Sequence, residues 1–144
     1  ATIHKETRTS TGTQRWPRGR PMPLHKGAGG IAVLSDLPKA QLKRVLASPS
    51  IAEAGVDVAQ LLSEIEAAKR QGHALSFGAI DPQNVGVAVP ISLKGVPPAA
   101  LIVAIDKRRF PTTDLPAIVE LLNQARREMV AVYQAHAVRA EGRL

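Results

Sequence analysis

Cysteine is absent from this 144-residue chain. Thiolate nucleophiles, disulfides and cysteine-held zinc are therefore excluded. Aromatic residues are scarce: Trp16, Phe77, Phe110 and Tyr133 are the whole set. The core must be aliphatic and rich in alanine. No apolar run approaches the roughly 18 residues that a transmembrane helix needs, so no membrane span is expected. The N-terminal Ala-Thr-Ile-His-Lys-Glu lacks the apolar stretch of a secretory signal. These absences fit a cytoplasmic protein. There is no starting Met, so the chain reads as a trimmed piece of something longer.

Catalytic patterns are missing too. His4, His25, His73 and His136 are scattered, with no pair at metal-ligating spacing. There is no Gly-x-Ser-x-Gly elbow and no Walker motif. Gly27-Ala-Gly29-Gly30 lacks both the spacing and the leading strand of a dinucleotide fingerprint. Glu53, Glu64, Glu66, Glu120 and Glu128 fall on or near solvated helix faces, and Asp81 and Asp106 fall at loop or strand ends. No acid/base pair can be built from them. The chain reads as a non-enzyme without a cofactor.

What is present is globular: 44% apolar and 22% charged residues. The net charge is +7 and uneven, since residues 1–26 hold six Lys/Arg against one Glu. Such a basic end either contacts nucleic acid or forms a solvated face. Pro17-Arg-Gly-Arg-Pro21 has the composition of a minor-groove hook, whose arginines lie along a narrow A·T groove. Its setting argues otherwise: one copy, after a tryptophan, running straight into an apolar helix. Direct nucleic-acid binding through Pro17–Pro21 is kept as the alternative function. Lys107-Arg108-Arg109 is a second, short basic run and reads as a solvated turn.

The order of elements is α+β: an antiparallel sheet flanked by helices, in one domain over residues 1–144. Weak strands are expected at 1–8 and 14–16, around a turn at 9–13. Ile31, Leu34 and Leu37 are at helical spacing from about Lys26. Pro38 suits the first turn of a second helix, with Leu42, Val45 and Leu46 inward. A loop over 48–56 leads to Asp57 as N-cap. The next helix buries Leu61, Leu62, Ile65 and Ala68 and ends at Gly72. A short strand follows at 73–77. Residues 85–92 and 99–105 alternate as an antiparallel hairpin, Val85, Val87, Val89 and Ile91 forming a large-residue face for helices. Gly86 and Ala88 face the other way and leave room for something else. Pro90 cannot donate to a ladder, which implies a bulge or an unpaired edge. Thr112 or Thr113 is expected to cap a long helix with Leu115, Ile118, Leu121, Leu122, Ala125, Met129, Val132 and Tyr133 inward. Its polar tail is expected to loosen after about 135.

Pro23-Leu-His-Lys-Gly-Ala-Gly-Gly-Ile-Ala-Val-Leu-Ser35 is a glycine-rich turn feeding a helix. It resembles Pro-Leu-His-x-x-Ala-x-Gly-x-Ala-x-Leu-Ala, the signature opening the main helix of the effector-binding domain in IclR-type transcriptional regulators. Four later pieces keep the family's order. They are Asp36-Leu-Pro38 with Leu42, the helix Leu61–Gly72, the strand Gly86-Val-Ala-Val-Pro-Ile91, and the strand Ala99-Ala-Leu-Ile-Val-Ala-Ile105. His73 stands where the family has tyrosine.

The resemblance covers roughly residues 14–135 and implies a GAF-like sensor of a small organic acid. It also implies a dimer or tetramer that meets DNA through a separate winged helix-turn-helix domain. No such pattern precedes Pro17, so the chain looks like the sensing half, short at its N-terminus. The resemblance places Ala28 and Gly29 where the backbone meets the ligand, at a helix start suited to a carboxylate. It places Met22, Ser76, Asn84, Gly86, Ile102 and Ala104 at the pocket as well. Ile102 and Ala104 can equally be ordinary core, and Trp16 either walls the pocket or covers the core. His25 reads as a structural residue closing the turn rather than as a ligand donor. Ser76, Gly86, Ile102 and Ala104 replace more polar or acidic family residues. The pocket they imply favours a bulky acid with an apolar body over a two- or three-carbon keto acid.

Overall fold

Helix α1 (Gly27–Asp36) carries no charge until its last residue and buries Ala28, Ile31, Ala32, Leu34 and Ser35. A helix apolar on most sides must be covered on most sides, and α1 is the central element. In the computed structural model, which describes residue 19 and residues 21–141, α1 lies between the sheet and helix α4 (Val58–Gln71). The expected strands at 1–8 and 14–16, Trp16 and most of the Pro17–Pro21 segment fall outside the described residues.

The sheet has three antiparallel strands in the order β1 (Ala74–Phe77), β2 (Asn84–Ile91), β3 (Ala99–Asp106). The alternation read from the sequence is real, and each face has its own cover. Val87 and Val89 pack with Leu122 of α5 (Leu115–Glu141), flanked by Leu75, Leu101, Val103, Ile105 and Ile118. On the opposite face Ala74 and Ala88 join Ala28, Ile31, Leu34, Leu61 and Ile65. The room beside Ala88 is therefore filled by α1 itself. Leu34, Val85, Val87 and Val89 are fully enclosed, each contributing about 1.5–3 kcal/mol. Pro90 pairs with Ala100 but lies past the end of β1, which matches β2 only from Val85 to Ala88. Its carbonyl accepts from the Arg126 guanidinium at 3.4 Å. An unpaired edge, not a bulge, accommodates it.

Four local expectations are corrected. The segment 48–56 is not all loop: Pro49–Glu53 forms a short helix, α3, started by its proline and fixed by buried Ile51. Helix α2 (Lys39–Leu46) has Pro38 as N-cap rather than within the turn, and Leu42, Val45 and Leu46 are only half-buried. Helix α5 is capped by Asp114, whose carboxylate accepts from the Ala117 N–H at 3.1 Å. The Thr112 and Thr113 hydroxyls donate instead to the Arg109 carbonyl, in the short 3-10 turn Phe110–Thr112. The inward stripe of α5 is also shorter than its periodicity suggests. Leu122 is buried, but Leu121, Met129, Val132 and Tyr133 are exposed. Twenty-seven residues of helix span about 40 Å. The eight-residue strands beneath reach about 27 Å. The helix outruns its sheet and continues to Glu141.

Asp57 caps α4 as expected, accepting from the Gln60 N–H at 3.0 Å. Gly72 ends the helix at φ +78°, its N–H bonded to the Ala68 carbonyl. Replacing Asp57 with Ala should cost about 1 kcal/mol. Thermal melting should show this as a drop of about 2–4 °C.

Candidate functional site

The antiparallel register puts Ser76, Gly86 and Ala104 in one row across all three strands. The next row is Ala74, Ala88 and Ile102; Asn84 and Asp106 pair on the other side. Residues directly opposite share a face, so these rows lie on the α1 side of the sheet. The first turn of α1 crosses over them. The Ala28 N–H donates to the Ser76 hydroxyl oxygen at 2.9 Å, a bond joining residues 48 apart in sequence.

The glycines explain how close this crossing is. A Cβ on Gly86 would lie 2.9 Å from Ser76 Oγ and 3.2 Å from Ala28 Cβ. A Cβ on Gly29 would lie 2.3 Å from Ile102 Cδ1, so the isoleucine side chain rests on the glycine backbone. Gly27, at φ +78°, is covered by Ile80, whose Cγ1 would sit 2.9 Å from an added Cβ. Five of the expected residues thus converge: Ala28, Gly29, Ser76, Gly86 and Ile102, with Ala104 at the open end of the row. Ile102 is 52% exposed and Ala104 is exposed, which removes them from the ordinary core. Asn84 stands one step along the same face, its backbone tied to Asp81 and Gly78. Met22 is half-buried in the segment leading to α1. Trp16 lies outside the described residues.

Ile80 was not legible as a site residue, because it sits in a loop without periodicity. His25 is half-buried before α1 and, among the described residues, has no hydrogen bond or ion pair. No group of three His, Asp or Glu able to hold a metal occurs among those residues.

The polar character of the site comes from dipoles. Helix α1 has no acidic residue in its first turn, and Lys26 provides no side-chain cap. The positive end of the helix dipole is left uncompensated. Ser76 accepts the Ala28 N–H, so its own hydroxyl proton is free to point at a third group. No acceptor for it occurs among the described residues.

The basic run after β3 is a closed turn. Arg108 donates from Nε and from its terminal nitrogen to the two Asp106 oxygens at 3.0 and 2.7 Å, and its backbone N–H adds a third bond. These bonds hold the Asp106 carboxyl at about 2, below its ordinary 3.8. A carboxyl lowered in the folded state favours folding above its unfolded value and loses that contribution as pH falls toward 2. A carbon-detected NMR titration should place Asp106 near 2, and Arg108→Ala should return it toward 3.8.

An open groove of about 490 Å³ lies at the other end of α1 and shares none of these residues.

Comparison with known proteins agrees with this architecture. The family described as bacterial transcriptional regulator IclR C-terminal matches residues 1–131. The HTH-type transcriptional regulator KipR of Bacillus subtilis is 26% identical over 112 residues, 74% of this chain and 45% of KipR. The chain therefore spans under half the length of that relative. Among solved structures, the C-terminal domain of a transcriptional regulator from Vibrio cholerae superposes with a TM-score of 0.70 at 25% identity, over 87% of this chain and 75% of that one. An IclR homolog from Microbacterium hydrocarbonoxydans, solved with 4-hydroxybenzoate, gives 0.65 at 24% identity, over 83% and 49%. At that identity the second match speaks for the fold alone. No helix among the described residues is long and apolar enough to cross a membrane. With the family match running over nearly the whole chain and the sheet-and-helix arrangement in agreement, the chain belongs to the IclR family of bacterial transcriptional regulators, as its C-terminal domain.

Proposed function

We propose that residues 1–144 form one effector-sensing domain that binds the carboxylate of a small organic acid against the first turn of α1. The carrying observation is the Ser76 hydroxyl bonded to the Ala28 N–H. Its free proton and the remaining N–H groups of the helix start, which Lys26 does not cap, offer donors on one side of the Gly86–Ala104 floor. Hydrogen bonds to a charged group contribute about 1.5–3 kcal/mol each. The helix end adds about 0.3–1 kcal/mol more. In this reading the site binds its ligand and does not transform it. In this reading the full-length regulator acts in the cytoplasm as a dimer or tetramer and meets DNA through a separate winged helix-turn-helix domain.

The walls set the ligand's body. Ile102 lies over Gly29, Ile80 over Gly27, and Ala104 stands beside Gly86. These are apolar surfaces around a polar seat, the usual composition of a small-molecule site. A single carboxylate on an aromatic or branched body matches that pattern, in keeping with the 4-hydroxybenzoate bound by the Microbacterium homolog. Isothermal titration of the chain with benzoate and with pyruvate tests this. Tighter binding of benzoate is expected; tighter binding of pyruvate would refute the assignment of ligand class.

A further inference from the structure

The open groove at the C-terminal end of α1 gathers cations from three different helices: Lys39 of α2, Lys69 of α4 and Arg126 of α5. None of the three makes an ion pair among the described residues. One carboxylate, Asp36, also lines the groove and accepts from the Ser92 hydroxyl, so three cations against one anion leave the lining with an excess of two positive charges. Arg126 uses one terminal nitrogen on the Pro90 carbonyl, through a long bond of 3.4 Å, which leaves most of its five donors unspent.

Structural duties account for part of this. Arg126 satisfies a strand-end carbonyl. Lys69 sits in the last turn of α4, the end of a helix where a cation is favourable. Lys39 has no such duty. It is the first residue of α2, the end where a positive charge is unfavourable, and no acidic residue shares that turn. It also stands four residues before Lys43, a like-charge spacing that weakens an isolated helix. Helix α2 has only eight residues and no fully buried side chain, so it has little stability to spare. A cation standing there against local electrostatics, with Lys69 and Arg126 lining the same hollow of about 490 Å³, points to an anionic ligand.

We infer that this groove is a second binding site, separate from the acid site, for a small phosphate-bearing molecule. Arginine and lysine side chains are the usual partners of such a group. The uncapped start of α2, where Pro38 provides no side-chain cap, adds backbone donors to the same hollow. The inference does not depend on the ligand proposed for the α1 start.

Inorganic phosphate is the probe. The 144-residue chain is titrated with it at pH 7.5 and followed by 1H–15N NMR, with chloride keeping ionic strength constant. Saturable shifts are expected at Lys39, Lys69, Gly72 and the Arg126 side chain, with none at Ala28, Gly29 or Ser76. Lys39→Gln and Lys69→Gln should each weaken binding about tenfold, the loss of one charge-assisted contact. Lys43→Gln, on α2 but outside the groove lining, should leave it unchanged. Shifts that never saturate would overturn the inference. So would a Lys43→Gln effect equal to that of Lys39→Gln, or saturation by a DNA duplex but not by phosphate.

Discussion

Gly30→Ala should lower the melting temperature by roughly 10 °C, although the site is within a helix where alanine normally stabilises by about 1 kcal/mol. The sign reverses because of what lies outside the helix. An added Cβ would sit 2.2 Å from the Leu24 carbonyl oxygen, 2.8 Å from its carbon and 3.1 Å from its Cα. All three are backbone atoms, so no rotamer change relieves the contact. The turn at Pro23–Lys26, closed by the Lys26 N–H on the Pro23 carbonyl, would have to lift away. Overpacking of this kind costs about 3 kcal/mol, and a domain of this size loses about 2–4 °C per kcal/mol. Differential scanning calorimetry decides the matter. An unchanged or raised melting temperature would mean that the segment Met22–Lys26 does not lie across α1, and one wall of the candidate site would be lost with it.

The same crossing shows where sequence reasoning succeeds and where it stops. The alternation at 85–92 and 99–105 was legible because each strand face meets a different helix. Asp57 and Gly72 were legible because a cap and a left-handed stop are chemistry local to a few residues. Helix α5 was only half legible: periodicity tells which side is apolar, not how far the sheet beneath extends. Leu121, Met129, Val132 and Tyr133 therefore looked buried and are not. Helix α3 was hidden because Ser48 and Pro49 signal a loop as readily as a helix start.

The site divides in the same way. Pro23–Ser35 identified the α1 start, and family resemblance named Ser76, Gly86, Ile102 and Ala104. Only the register shows that Ser76, Gly86 and Ala104 form one row. Nothing local to Ile80 announces that it covers Gly27. Lys39, Lys69 and Arg126 are far apart in the chain, and only the packing of three helices makes them neighbours.

Gly86→Ala should abolish or weaken benzoate binding by about tenfold or more while the domain stays folded. The methyl group would meet Ser76 Oγ at 2.9 Å and Ala28 Cβ at 3.2 Å. Ser76 is half-buried and can rotate away, so the protein survives at the cost of the Ala28–Ser76 bond, about 1 kcal/mol. Binding fares worse, because one added carbon does two things. It turns aside the hydroxyl that we propose donates to the carboxylate, and it fills the floor on which the carboxylate would rest. Ser76→Ala separates the two effects. It removes the donor but leaves the floor open, and it should weaken benzoate less than Gly86→Ala does. It also leaves the Ala28 N–H without its partner in the free protein, a group the ligand can then claim. If Ser76→Ala instead tightens binding, the backbone N–H is the seat and the serine only shields it. If Gly86→Ala binds benzoate as the parent chain does, the acid is held elsewhere and the Ser76–Gly86–Ala104 row is no more than the packing surface that lets α1 lie close to the sheet.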